Sequence, residues 1–394
     1  MAVASMSAPL SGLRVLELAR VLAGPWTGQI LADLGADVVK VESPQGDDTR
    51  KWGPPFVRGR EGEPLDAAYF HACNRGKRSV VADFRTEEGR ETVRRLAERS
   101  DVLIENFKVG ALARFGLDYA SLASLNPRLI YCSVTGFGQT GPYAQRSGYD
   151  FIIQGMSGIM DLTGEAAAPP QKIGVAFADI FTGTYGAVAV LAALVHRERT
   201  GSGQHIDMSL LDCMVGVLAN QGLNYLISGR APQRMGNAHP NIVPYQVFAV
   251  RDGHIIIAVG NDAQFARLCA CIGAPALASD PRFATNALRV EHRDELVGKI
   301  AARLQESTRG EWLRAMEAQA IPAGPINSVA DVFSDPQVLH RQMCQQLAAS
   351  WAAGGCVPTI PTPIRFSGAE LELSRPSPRL GEHTSEILSE IHER

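Results

Sequence analysis

The feature that most constrains this chain is the alternation of short β-rich runs with helix-period segments over its first third. Leu13 to Leu18 (LRVLEL) has the character of a buried strand. Pro25 opens a helix reaching about Leu34, since proline suits the first helical turn. Gly35 then ends that helix, and Asp37 to Glu42 (DVVKVE) forms the next strand. Ser79 to Asp83, Asp101 to Glu105 and Arg128 to Ser133 supply further β-rich runs. Between them lie the helix Thr86 to Arg99 and shorter helical pieces near Gly110 to Phe115 and Tyr119 to Ser124. Strands alternating with helices predict an α/β fold built on a doubly wound, mostly parallel sheet.

Such a sheet commonly binds nucleotides, but the usual glycine signature is missing. The first βα turn reads Ala19 to Pro25 (ARVLAGP), with neither G-x-G-x-x-G nor a P-loop. The fold is thus Rossmann-like without the fingerprint, which disfavours a dehydrogenase or an NTPase. At 394 residues the chain exceeds what one hydrophobic core usually supports, so a second lobe is expected. A hairpin signal, Gln246 to Val250 and His254 to Val259 around Arg251-Asp252-Gly253, is followed by amphipathic helices near 262–271, 293–304 and 309–318. These features predict three segments. Residues 1–224 form the first part of a large α/β domain, 225–330 a smaller α+β domain, and 331–394 a return segment completing the large one. A long apolar helix is expected after Asp212, and a last helix over Thr384 to His392.

One acid stands out. Asp179 follows the apolar run Ile173 to Ala178 and precedes small residues that open into the helix pattern Val188 to Val195. Two readings are open. Asp179 is a helix cap, whose ionised form the helix N-terminus favours, or it is a carboxylate nucleophile beside apolar walls.

The formal net charge of −3 gives no global pull toward nucleic acid. The 7 cysteines are scattered, and Cys269-Ala270-Cys271 matches neither a zinc nor a redox spacing, so no metal site is expected. Free thiols fit a reducing compartment. The opening residues lack a basic stretch followed by a long apolar one, and no apolar run looks long enough to span a bilayer. A cytoplasmic location and no membrane partner are therefore expected.

Several strings resemble the family III CoA-transferases, the formyl-CoA and carnitine-CoA transferase family. They are Val21 to Pro25 (VLAGP), Asn74 to Ser79 (NRGKRS), Asp101 to Phe107 (DVLIENF) and Gly136 to Pro142 (GFGQTGP). Gly148-Tyr149-Asp150, Ala178-Asp179, Arg199 to Gln204 (RTGSGQ) and Leu380 to Thr384 (LGEHT) continue in the family's order over nearly the whole chain. Gly46 to Val57, Asn241 to Gln246 and Pro336 to His340 look like the branch acting on dicarboxylates.

The resemblance implies that the family's catalytic aspartate falls on Asp179. CoA would pass from an acyl-CoA, succinyl-CoA in this branch, to a free dicarboxylate such as glutarate. The route is a covalent aspartyl anhydride and then an aspartyl-CoA thioester, with coenzyme A as substrate and no further cofactor. The resemblance also implies CoA-binding positions at Val21, Leu22, Arg85, Asn106, Phe107, Ala111 and Arg114, and an interlocked homodimer. Tyr149, His239 and Asn241 are candidates for the acceptor pocket. Lys172, Arg146, Arg234, His71 and His239 are the charges that could hold a second carboxylate.

The chain also departs from the formyl branch. Leu22 stands where that branch has glutamine, Ser43 where it has an arginine, and His239 to Ile242 where it has a glycine-rich lid. Two rival readings are an α-methylacyl-CoA racemase and a non-catalytic CoA-binding protein. The racemase branch has a histidine in the place of Tyr149, and an unperturbed tyrosine is a poor base at neutral pH. A pure binding module has no need of Asp179.

Overall fold

The computed structural model describes Ser7–Glu393, so most of the opening stretch read for targeting signals lies outside the described residues. The chain divides into two compact units. The first takes the described residues up to Ile159, then Lys172–Gly229, then Gln337 onward; the second takes Met160–Gln171 and Arg230–Pro336. The cuts thus fall a few residues beyond 224 and 330. Met160–Gln171, expected within the first segment, joins the second unit. Arg234 Nη1 donates to both the carbonyl and the carboxylate of Asp161 at 3.0 Å, and Gly236 N–H donates to Gly164 O at 3.1 Å. Those bonds tie residues far apart in sequence, so no local pattern announces them.

In the first unit six parallel strands form one sheet. In chain order they are β1 (Arg14–Glu17), β2 (Asp37–Glu42), β3 (Arg78–Val81), β4 (Val102–Glu105), β5 (Ile130–Thr135) and β6 (His205–Ser209). Their spatial order is β3-β2-β1-β4-β5-β6, the doubly wound arrangement whose chain reversal lies between β1 and β4. Side chains alternate between the two faces. Val15, Val38, Val102 and Ile130 enter one core, while Leu16, Val39, Leu103 and Tyr131 enter the other. Both faces are covered, which is why these strands read as nearly continuous apolar runs.

The helices of this unit include α1 (Ala23–Asp33), α2 (Glu87–Glu98), α3 (Tyr119–Leu125), α4 (Asp150–Met156), α5 (Phe177–Thr200), α6 (Leu210–Gly216) and α7 (Ala219–Ser228). Residues of α1, α4, α5 and α6 share the first core; residues of α2, α3 and the C-terminal helix Thr384–His392 share the second. Thr86 starts α2 by accepting the Gly89 N–H at 3.1 Å, with Glu87 and Glu88 in the favoured first turn. Gly201, left-handed at φ 77°, ends α5.

Two expectations need correction. The long helix after Asp212 is two helices, α6 and α7, bent by 74°, with Ala219 at φ 46° at the break. An apolar run also exists that is long enough to cross a membrane by length and composition. Helix α5 has 24 residues and a mean hydropathy of 1.6 in its most apolar window. It escaped notice because Asp179, Thr182 and Thr184 interrupt the apolar string without interrupting the helix. Its buried glycines lie against α1. A Cβ on Gly183 would sit 2.5 Å from the Ala23 carbonyl, and one on Gly186 would sit 2.7 Å from Thr27 Oγ1. Thr27 Oγ1 donates to Gly183 O at 2.9 Å, so the two helices meet backbone to backbone.

The second unit carries an antiparallel sheet of β7 (Tyr245–Val250), β8 (Gly253–Ala258) and β9 (Ala323–Pro325). The hairpin was legible; β9, three residues with a glycine and a proline, was not. Phe248, Ile255 and Ile257 pack with Phe265, Leu268, Leu296, Ile300 and Trp312 from the helices. Buried Arg289 ties this core to its surroundings, donating to Val243 O and Phe283 O at 2.9 Å and to Asp262 at 2.6 Å.

Candidate active site

Asp179 occupies the third position of α5. It is not the cap. Ala176 holds the cap position without a side-chain bond, and the capping carboxylate belongs to Asp150, at the start of α4. Asp150 Oδ1 accepts the N–H of Ala178 at 2.8 Å and that of Asp179 at 3.4 Å; its Oδ2 accepts Gln154 Nε2 at 2.8 Å. Gln154 Oε1 in turn accepts the Ile173 N–H at 2.9 Å, tying the chain ahead of α5 to α4.

The Asp179 carboxylate is left with no hydrogen bond among the described residues. Its pKa is pushed up to about 7, first by burial and second by the charge of Asp150. The expectation that the helix start would hold this acid firmly ionised is therefore corrected. The N–H groups that would do so are taken by Asp150, and desolvation dominates. An acid whose pKa lies near neutrality, with no structural bond of its own, has the character of a reactive group.

Tyr69, on the short helix Ala68–His71, lies within reach of the same charges. Burial and then Asp179 raise its pKa to about 12, with smaller contributions from Cys73, Asp150 and Asp47. Trp52 packs edge-on against Tyr69, ring centroids 5.3 Å apart. Sequence reading missed Tyr69, because nothing local places it near Asp179.

A cavity of about 240 Å³ opens at the carboxyl ends of β1 to β4, where doubly wound sheets bind their ligands. Arg85, Phe107, Ala111 and Arg114, four of the positions the resemblance assigns to CoA, line it, together with Phe84 and Phe115. Phe84 meets Phe107 and Phe115 edge-on, with centroids 5.7 and 5.3 Å apart. Arg85 is exposed and paired with Asp83 at 2.7 Å, and Arg114 lies 4.6 Å from the Phe115 ring.

The lining also includes Ser43 and Arg20. Arg20, over the Phe107 ring at 5.5 Å, supplies a cation on this wall even though Ser43 does not. It adjoins the VLAGP string, and a basic residue in the first βα turn was the signal available.

Asn106 does not line the cavity but shapes it. Its Oδ1 accepts the Arg20 N–H at 2.9 Å, and its Nδ2 donates to Arg20 O at 2.6 Å. Glu105 then accepts the Phe107 N–H at 2.7 Å, which sets the direction of the loop. Val21 and Leu22 are likewise outside the lining; Leu22 is the buried cap residue of α1, and Val21 precedes it at φ 69°.

The acceptor candidates are divided between the two units. Tyr149 is the cap residue of α4 and is 63% exposed. His239 and Asn241 belong to the second unit. There His239 Nδ1 accepts the Asn241 N–H at 3.1 Å, Asn286 Nδ2 donates to Asn241 O at 2.8 Å, and Arg293 donates to His239 O and Pro240 O at 2.8 and 3.0 Å. Arg234 is paired with Asp161 at 3.0 Å. His71 is corrected as a cation: burial, helped by Arg50, pushes its pKa down to about 4, so the ring is neutral at pH 7.

Comparison with known proteins matches residues 10–384 to CoA-transferase family III. The chain is 58% identical to the succinate–glutarate CoA-transferase of Agrobacterium fabrum, over 97% of this chain and 96% of that one. It is 43% identical to the succinyl-CoA:glutarate CoA-transferase of Mus musculus, covering 97% of this chain and 86% of the other. Among solved structures, a CaiB/BaiF family protein from Brucella suis superposes with a TM-score of 0.86 at 61% identity, over 98% of this chain and all of that one.

Proposed function

The chain belongs to CoA-transferase family III, and from that premise we propose that it moves CoA from succinyl-CoA to glutarate or a similar dicarboxylate by way of Asp179. The observation that carries this reading is the Asp179 carboxylate itself: set by fold and helix start, free of hydrogen bonds, and buried enough to titrate near 7. The names of the relatives at 58% and 43% identity support the acid pair. No named relative compared above is a racemase or a binding protein, so those rivals are not favoured.

In the proposed sequence the Asp179 carboxylate attacks the thioester carbonyl, and the C–S bond breaks. A mixed anhydride and CoA thiolate result. The thiolate then attacks the aspartyl carbonyl, releasing succinate and leaving an aspartyl-CoA thioester. The acceptor carboxylate repeats the two steps in reverse, yielding its CoA ester and the free aspartate. Each intermediate is an acyl derivative, so the cycle is balanced without an external energy source. Anhydrides and thioesters hydrolyse, so water must be kept away. Partial burial of Asp179 suits that need.

The cavity offers what CoA requires: Arg20, Arg85 and Arg114 for phosphates, and Phe84, Phe107 and Phe115 for the adenine ring. Tyr149, His239 and Asn241 remain our candidates for the acceptor side. The seven thiols are all free, which supports a cytoplasmic setting. We also propose the interlocked homodimer; exposed apolar residues on α5 and α7, including Leu226 and Ile227 at 73% and 84% exposure, support a covered face there.

The test is chemical. Incubation with succinyl-CoA followed by hydroxylamine should label one peptide, at Asp179, as the hydroxamate. A panel of mono- and dicarboxylate acceptors should show glutarate-like acids preferred. Preference for formate or carnitine would sink the dicarboxylate reading, and label elsewhere would sink the nucleophile.

A further inference from the structure

The first βα turn lacks the glycines that usually let a main chain bend toward a nucleotide, yet one of its residues is left-handed. Val21 has φ 69°. A β-branched residue there is a genuine outlier, and such a conformation persists only where its surroundings impose it.

The surroundings do so from several directions. The Val21 N–H donates to the Asp47 carboxylate at 3.2 and 3.4 Å, and the Cys73 thiol donates to Val21 O at 3.4 Å. Asp47 is paired with Lys40 at 3.0 Å, both side chains wholly buried. Lys40 Nζ also donates to Ala19 O at 2.8 Å and pairs with Glu17 at 3.2 Å. Glu17 holds a second buried ammonium, Lys77, at 2.8 Å. Lys77 Nζ donates to Pro25 O and Asn74 Oδ1, each at 2.9 Å. One buried network thus grips the turn at its start, its middle and its end.

Burial alone would raise the Asp47 carboxyl, but Lys40 and the Thr49 hydrogen bonds outweigh it and hold the group below its ordinary range. Asp47 therefore meets Val21 as a charged acceptor. Buried ion pairs are a poor way to gain stability, since apolar residues of like volume commonly do as well. This one is placed where a ligand would feel it: Lys40, Gly46 and Asp47 line the cavity described above.

We infer that Asp47 is a positioning residue for acyl-CoA: anchored on Lys40, it holds Val21 in the left-handed conformation that shapes the first βα turn for the thioester substrate. The inference rests on the reading that acyl-CoA binds at the carboxyl ends of β1 to β4. It also explains the missing fingerprint. Where dinucleotide-binding sheets use glycine to turn the chain, this sheet uses a branched residue and an external clamp.

The test is a double-mutant cycle of Asp47→Asn and Val21→Gly, read as kcat and as KM for succinyl-CoA. Glycine takes positive φ without strain, so the clamp becomes dispensable once position 21 is glycine. Asp47→Asn should raise KM about tenfold or more in the Val21 chain, but less than about threefold in the Val21→Gly chain. A merely structural role for Asp47 beneath Lys40 gives equal factors in both backgrounds, and that result overturns the inference.

If Asp47→Asn does not fold by far-ultraviolet circular dichroism, Val21→Pro serves instead. It leaves the Lys40–Asp47 pair in place, removes the N–H and holds φ near about −65°. KM should again rise about tenfold with the fold retained; an unchanged KM overturns the inference. Arg114→Ala reports on the underlying reading separately. An unchanged KM there means that acyl-CoA does not use this cavity. A raised KM there, with equal Asp47 factors, means that only the clamp is wrong.

Discussion

At Asp179, the burial that raises the carboxyl pKa from 3.8 to about 7 also determines what a neutral replacement should do. Between those values the folded chain keeps a proton that the unfolded chain has lost. Stability therefore falls as pH rises from about 4 to about 7, and the full penalty is present above 7. Asp179→Asn removes it. The variant should lose transfer activity yet melt at a higher temperature than the parent at pH 8, by about 2 kcal/mol of stability once partial exposure is discounted. At pH 4 the two should melt alike. A lower melting temperature at pH 8 would show that the carboxylate is stabilising and not strained. Activity carries a matching signature, since kcat/KM should rise with pH along an acid limb near 7. Asp150→Asn keeps an acceptor for the Ala178 N–H while removing the second cause of the shift, so that limb should move to lower pH. The move is partial, because burial is the larger cause. A limb that stays in place would rule out Asp150 as its tuner.

Helices α1 and α5 meet where their backbones nearly touch, and this contact fixes Asp179 relative to the first βα turn. A methyl group at Gly183 would have to displace the Ala23 carbonyl, 2.5 Å from its ideal position, and Trp26 Cβ at 2.8 Å. Backbone gives way less readily than a side chain. Gly183→Ala should therefore lower stability by about 1–3 kcal/mol and reduce kcat, because Asp179 lies one turn earlier on the same helix. Thermal melts together with steady-state rates check this; unchanged melting would mean that the helices can separate freely. The elements themselves were largely legible. The first five strands of the sheet, α2 and the C-terminal helix follow their periodicity, because each is determined by residues within a few positions. The α6–α7 break was not, although Gly216 stands at the end of α6, because a single glycine within an apolar helical pattern is often tolerated.

As a whole molecule the chain leaves apolar residues of α5 and α7 uncovered, among them Val188, Val195, Leu226 and Ile227. If the proposed homodimer covers them, light scattering should give about twice the chain mass of 42.3 kDa. Leu226→Asp with Ile227→Asp should then shift the protein toward monomer and lower activity; a wild-type chain that scatters as a monomer ends the proposal. The fold class, the order of the elements and the position of Asp179 could be read from the sequence, because they depend on local periodicity and on strings whose members stand together. The actual cap of α5, the pKa of Asp179, the neutrality of His71, the place of Met160–Gln171 and the clamp on Val21 could not. Each depends on groups brought together from distant positions, as Asp150 is to Ala178 or Asp47 to Val21, and desolvation exists only once the chain has closed around them. Sequence determined which carboxylate stands at the start of α5; tertiary structure decided that Asp150 takes the helix N–H groups and that the Asp179 carboxylate is buried without them.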